Sequence, residues 1–173
     1  MTGGRSGLVV EVPAAESTVA QHRLRLDPLA SLGVPAHVTV LFPFVPVEKL
    51  DEGVHDRVAA IAGSVETFSY RFSTPAWFGD DVVYLAPEPP EPFVRLTELL
   101  WAAFPDQPPY GGAFDEVIPH LTIGHGNDRS ALQRAEASVL SQLPVEGRAE
   151  RLTLLVEGEG GRWTVDRRFS LGA

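Results

Sequence analysis

The chain has 173 residues, a net charge of −9, 44% apolar and 21% charged content, which suits a globular fold with a sizeable core. It contains no cysteine, which excludes disulfides, thiolate metal sites and a cysteine nucleophile. The acidic balance argues against extended wrapping of nucleic acid, which needs many Lys and Arg contacts to phosphate, and no apolar run approaches the roughly 18 residues that span a bilayer.

In chain order, MTGGRSGLVVEVP holds an apolar stretch too short for a secretion signal, so a cytoplasmic protein is expected. Gly7–Pro13 reads as a short strand closed by proline. Residues 14–29 read as a helix, Pro35 introduces a strand over His37–Phe42, and Val47–Ala62 carries Leu50, Val54, Val58 and Ile61 at helical spacing. Thr67–Ser73 alternates Phe68, Tyr70 and Phe72, predicting a strand with one buried face, and Asp81–Pro87 predicts another. A helix is expected over Phe93–Phe104, a long Pro- and Gly-rich connection over Pro105–Pro119, and a strand over His120–Gly124. A helix over Ser130–Leu143 and strands over Arg151–Val156 and Trp163–Leu171 complete the chain.

The two halves repeat: LVVEVP, helix, HVTV, helix, FSYRFS is followed by VVYLAP, helix, HLTI, helix, RLTLLV. Thirty-five positions separate His37 from Phe72 and His120 from Leu155 alike. Two such copies are too long and too few for a solenoid, and a single unit of two similar lobes over residues 1–173 is expected.

The repeated phrases PAHVTV and PHLTI carry the chemistry. Residues i and i+2 of a strand share a face, so His37 and Thr39 point one way and Val38 and Val40 the other; His120 and Thr122 do the same. If the lobes meet across a pseudo-twofold axis, two imidazoles and two hydroxyls line one groove. Two histidines can act as base and acid on opposite sides of a phosphorus atom, because an imidazole titrates near neutral pH. Threonine hydroxyls can donate to the non-bridging oxygens. No metal or cofactor is required.

On these residues the chain resembles the two-histidine phosphoesterase superfamily, in particular its bacterial 2′-5′ RNA ligase-like, cyclic phosphodiesterase-like branch. HVTV and HLTI stand where that family has its signature tetrads, and the runs GVPAHVTVLFPFVP and YGGAFDEVIPHLTIGHG are similar in character. The resemblance implies an α+β, bilobed duplicated fold, with two antiparallel sheets flanking a central cleft and helices outside. It implies metal-independent opening of 2′,3′-cyclic phosphates, hydrolysis of 2′-5′ linkages, or the reverse ligation. His37 and His120 would be catalytic, and Thr39 and Thr122 would bind phosphate. The expected partner is a small nucleotide or an RNA end, handled by a monomer. A non-catalytic module that binds a phosphorylated ligand or RNA end is the alternative.

Tyr110 and Phe114, in the long connection, and Phe42 are further candidates for contact with substrate, since such loops carry function and aromatic rings stack on bases. Phe44 is expected in the core and Arg71 at the surface. His22 and His55 fall within helices and are expected in solvent. His125 lies at an odd offset from His120 and is expected on the opposite face, which argues against a zinc site built from the two.

Overall fold

In a computed structural model, residues 3–172 are described. Met1, Thr2 and Ala173, the ends of the expected 1–173 unit, lie outside the described residues. Among the described residues, eight strands form two four-stranded antiparallel sheets, and five α-helices pack against them. The strands are β1 (Ser6–Glu11), β2 (His37–Leu41), β3 (Phe68–Phe78), β4 (Val82–Glu88), β5 (Leu121–His125), β6 (Val145–Ala149), β7 (Arg151–Glu157) and β8 (Trp163–Ser170). The helices are α1 (Glu16–Leu26), α2 (Pro28–Ser31), α3 (Glu52–Ser64), α4 (Glu91–Ala103) and α5 (Arg129–Leu140).

The first sheet has the order β2-β1-β7-β8 and the second β5-β4-β3-β6. The halves therefore exchange strands: β3 follows the first half's helix but pairs with β4, and β7 returns from the second half to pair with β1. Helices are exchanged too, with α1 packing on β5 and α4 on β2. One apolar cluster joins both sheets, running from Leu8, Val10 and Val38 through Leu96 and Leu100 to Leu85, Leu121 and Ile123. The equal 35-residue spacings do not mark equivalent positions. Val9 faces both Thr39 and Thr153, and Tyr84 faces both Thr122 and Ala76. Thr153 thus corresponds to Ala76: 37 positions separate Thr39 from Ala76, but 31 separate Thr122 from Thr153.

Three boundaries differ from expectation for local reasons. The helix expected over 14–29 breaks at Asp27, whose side chain accepts from the Leu29 backbone N–H at 3.1 Å and starts α2 with Pro28 in its first turn. β3 continues past Ser73 through Pro75 to Phe78. It pairs with β6 only up to Phe72, so the proline lies where one edge of β3 is open. β6 is short, polar and split by Gly147, and carries little strand signal.

The helical histidines are not in solvent. α3 packs on β8, which buries His55 and brings its Nε2 to 3.0 Å from Asp166 Oδ2. α1 packs on α5, and the half-buried His22 lies with Nε2 3.2 Å from Ser138 Oγ. Phe44 is in the core, edge-on to Phe104, and Arg71 is an exposed residue paired with Glu146 at 3.0 Å.

Candidate active site

β2 and β5 are the edge strands that meet between the two sheets. The ends of both histidine phrases are pinned by the same bond. His37 Nδ1 lies 2.7 Å from the Pro35 carbonyl, and His120 Nδ1 lies 2.7 Å from the Ile118 carbonyl. A carbonyl only accepts, so each Nδ1 carries the proton and each Nε2 is left as the reactive nitrogen. In both cases the acceptor stands two residues before the histidine, although the neighbouring proline occupies a different place. The strand leading to His37 is held further by Ala36 N–H donating to Glu16 Oε1 at 2.6 Å and by Val12 N–H donating to the Ala36 carbonyl at 2.8 Å.

Each phrase then contains a β-bulge. On β2, Thr39 faces Val9 and Leu41 faces Leu8, leaving Val40 as the additional residue. On β5, Thr122 faces Tyr84 and Gly124 faces Val83, leaving Ile123. Both bulged residues stand three after their histidine, and the Val40 carbonyl accepts from the buried Thr97 hydroxyl of α4 at 2.7 Å. A bulge shifts the alternation of side chains by one. It returns Phe42 and His125, each five after its histidine, to the face that bears the threonines. The expectation that His125 points away from the cleft is thereby overturned: it lines the same cavity as His120.

That cavity, of about 320 Å³, is lined by His37, Thr39, His120 and Thr122 together with Phe42, Tyr110 and His125. Its apolar wall comes from the first sheet, through Val9, Leu155 and Trp163, with Val34 beside them. Tyr110 reaches it from a 3-10 turn over Pro109–Gly112. Its backbone is left-handed (φ 52°), its N–H donates to the Phe42 carbonyl at 2.6 Å, and its phenol lines the cavity together with Thr39. Phe114 is placed differently from Tyr110. It is 65% exposed, meets Tyr110 edge-on at 5.7 Å, and is not among the residues lining the cavity.

The two imidazoles differ in their surroundings. Burial drives the His37 pKa down to about 4, more than offsetting the Pro35 hydrogen bond; the nearby Arg23 and His120 add to the lowering, and Asp27 opposes it. Arg23 and Asp27 form a buried ion pair at 3.1 Å, and Arg23 also donates to the Val34 carbonyl at 2.9 Å. His120 is also lowered, chiefly by burial, with the Ile118 hydrogen bond opposing. Its ring meets Phe78 at 5.0 Å and Tyr84 at 5.6 Å, both edge-on, and those two rings stack at 4.1 Å. Glu11 stands opposite His37 on β1, but its carboxylate takes Arg168 Nε at 2.8 Å and Thr153 Oγ1 at 2.6 Å. The histidines are thus oriented by backbone carbonyls and not by carboxylates.

Sequence reasoning missed four residues at the site. Arg23 and Asp27 fall within the helix expected over residues 14–29, at the i, i+4 spacing of an ion pair. Arg5 and Trp163 lie at the two ends of the chain, and only the fold brings them to the cavity. Among the described residues, no group of three or more His, Asp or Glu side chains is placed to hold a metal ion.

Residues 10–161 match the 2′-5′ RNA ligase superfamily. A Bacillus cereus (strain G9842) protein, named for an inferred phosphoesterase activity, is 31% identical over 163 residues, covering 87% of this chain and 86% of its own length. Among solved structures, TT0787 of Thermus thermophilus superposes with a TM-score of 0.65 at 21% identity, covering 96% of this chain and 97% of its own. Apo E. coli LigT superposes with a TM-score of 0.63 at 19% identity, covering 100% of both chains; the same protein has been solved with 3′-AMP, ATP and NADP+. By the family match over most of its length, the chain belongs to the 2′-5′ RNA ligase superfamily.

Proposed function

We propose that the protein is a phosphoesterase that cleaves 2′,3′-cyclic phosphate or 2′-5′ phosphodiester bonds by acid–base catalysis between His37 and His120. The observation that carries this reading is the matched pair of Nδ1-pinned imidazoles in one cavity, each with a threonine two residues on. The name of the Bacillus relative supports the same class of reaction. The cavity's size suits a small nucleotide or the terminal residue of an RNA. The chain would work as a monomeric two-lobed unit, with the Phe42 and Tyr110 rings against the sugar or base.

In cyclic-phosphate opening, His37 Nε2 takes a proton from water as the water oxygen bonds to phosphorus. The bond from phosphorus to one ribose oxygen breaks, and that oxygen receives the proton of His120 Nε2–H. Thr39 and Thr122 donate to the non-bridging oxygens as charge builds on them. His37 is given the base role because its depressed pKa keeps it neutral, while His120, less strongly shifted, holds the proton more readily. The ligation direction runs the same steps in reverse.

His37→Asn and His120→Asn should each lower turnover of a 2′,3′-cyclic nucleotide by about 10²–10⁴-fold, with EDTA leaving the wild-type rate unchanged. A p-nitrophenyl phosphodiester separates the roles, since its leaving group needs no acid. On it His120→Asn should keep most activity and His37→Asn should not; the opposite pattern would reverse the assignment. Binding of cyclic nucleotides with no turnover would instead favour the binding-module alternative.

A further inference from the structure

Resting on the reading that the cavity holds a phosphodiester, we propose that it selects substrates with a single negative charge and turns away nucleotides that carry an additional phosphoryl group. The argument is a count of fixed charges. Among the described residues, Arg5 is the only Lys or Arg side chain lining the cavity. Its guanidinium lies over the Phe42 and Trp163 rings, 5.7 and 5.8 Å from their centroids. It is not free to meet an anion as a bare cation. Nε donates to Glu157 Oε2 at 2.8 Å and Nη2 to Glu157 Oε1 at 2.8 Å, a two-point bond between side chains from β7 and the segment before β1.

The second cation near the site is cancelled in the same way. Asp27 is the one carboxylate lining the cavity among the described residues, and it is paired at 3.1 Å with Arg23, both residues being buried. Two cations and two carboxylates thus stand around the cavity as two closed pairs. The remaining wall is apolar: Val9, Val34, Leu155 and Trp163, each less than a tenth exposed, with Phe42 packed on them.

What is left to face an anion, among the described residues, is the imidazoles of His37, His120 and His125 and the hydroxyls of Thr39 and Thr122. A proton on the catalytic pair matches the one charge of a phosphodiester, and no Lys or Arg lining the cavity is left unpaired to balance more. A monoester group brings a further charge of about −1.5 to −2 at neutral pH, and a buried charge without a partner is strongly disfavoured. The same count applies to the product, because opening the diester creates a monoester. The site that accepts the substrate should therefore hold its product weakly.

The test compares adenosine 2′,3′-cyclic phosphate with its 5′-phosphorylated counterpart, in kcat/KM at pH 7 and in displacement of a fluorescent nucleoside cyclic phosphate. The 5′-phosphorylated compound should be poorer by about tenfold or more in both. Glu157→Gln frees the Arg5 charge and should narrow that gap by about threefold or more, whereas Arg5→Gln should not narrow it. Equal handling of the two compounds, a gap that Glu157→Gln leaves in place, or failure of both to displace the probe overturns the proposal. If neither is turned over while the binding order and its response to Glu157→Gln persist, the charge selection stands and the catalytic reading falls. Equal turnover does the reverse.

Discussion

Replacing His37 by Asn should remove most of one acid-induced loss of stability. The His37 pKa is lowered to about 4, first by desolvation of the half-buried ring and then by nearby Arg23. In the unfolded chain it returns to about 6.5. Between those values the unfolded state binds a proton that the native state refuses, so stability falls as pH drops from about 6.5 to 4 and the contribution levels off below. The gap of about 2.5 units corresponds to about 3 kcal/mol in full, of which about 2 kcal/mol is already lost on going from pH 7 to pH 4.5. Asn keeps a side-chain N–H for the Pro35 carbonyl but cannot titrate. Urea unfolding of both proteins at pH 7 and pH 4.5 gives the comparison, with the slope of each transition checked for two-state behaviour. The wild type should lose about 2 kcal/mol more than His37→Asn over that interval. The two losing the same amount would show that His37 is not held neutral by its surroundings, and the reason for giving it the base role would go with it. Inorganic phosphate should shrink the difference, since an anion in the cavity restores the proton.

The pH profile of kcat/KM should be bell-shaped and displaced to the acid side. The base is lost as pH falls through about 4, and the acid is lost as pH rises through a His120 pKa below the ordinary imidazole value; a plateau extending above pH 8 would contradict this. Thr39→Ala and Thr122→Ala should each cost about ten- to a thousandfold in kcat, as for one hydrogen-bond donor to transition-state charge, in steady-state assays on a cyclic nucleotide. Asp27→Asn leaves buried Arg23 without a counter-charge and should destabilise by about 3–5 kcal/mol in urea unfolding. Gly124→Ala sets a Cβ 2.5 Å from Leu26 Cβ, on the contact between β5 and α1, and should cost about 1–3 kcal/mol in the same measurement.

The elements that alternate or repeat cleanly could be read from the sequence, and the reason is burial. β2 and β5 have one face in a core and one in a cavity, so their pattern is of period two, and the two tetrads show it directly. What escaped is what depends on pairing rather than pattern. Nothing local in HLTIGH says that Ile123 is skipped by the strand beside it, yet that single bulge decides whether His125 enters the cleft. The exchange of β3 and β7 between halves is a matter of strand pairing that neither strand's own pattern encodes, and the 35-residue coincidence concealed it. His55 was misplaced because a helical pattern shows which side is apolar but not that β8 would lay Asp166 against the polar ring.

Duplication explains why the two histidines look alike, and departures from it explain why they can do different things. Both rings are fixed by a carbonyl two residues back and both strands bulge at the same step, so the reacting nitrogens are presented in the same way. Around that frame the surroundings of the two rings differ at equivalent places. Phe42 answers to His125, Val9 answers to Tyr84, and the buried Arg23–Asp27 pair lies by His37 while stacked Phe78 and Tyr84 lie by His120. A symmetric lining would give both imidazoles one proton affinity and no direction to the transfer. An ion pair beside one ring and an aromatic wall beside the other separate the two affinities, and the wall from Phe42 to Trp163 gives the substrate one end to occupy. Restoring symmetry should therefore blunt the division of labour. In Phe42→His, with a second histidine at the place that mirrors His125, kcat/KM for a nucleoside cyclic phosphate should fall by about tenfold, the worth of one base–ring contact. The rate on the base-free ribose 2′,3′-cyclic phosphate should change less. An equal fall on both substrates would mean that Phe42 supports the histidines and not the substrate.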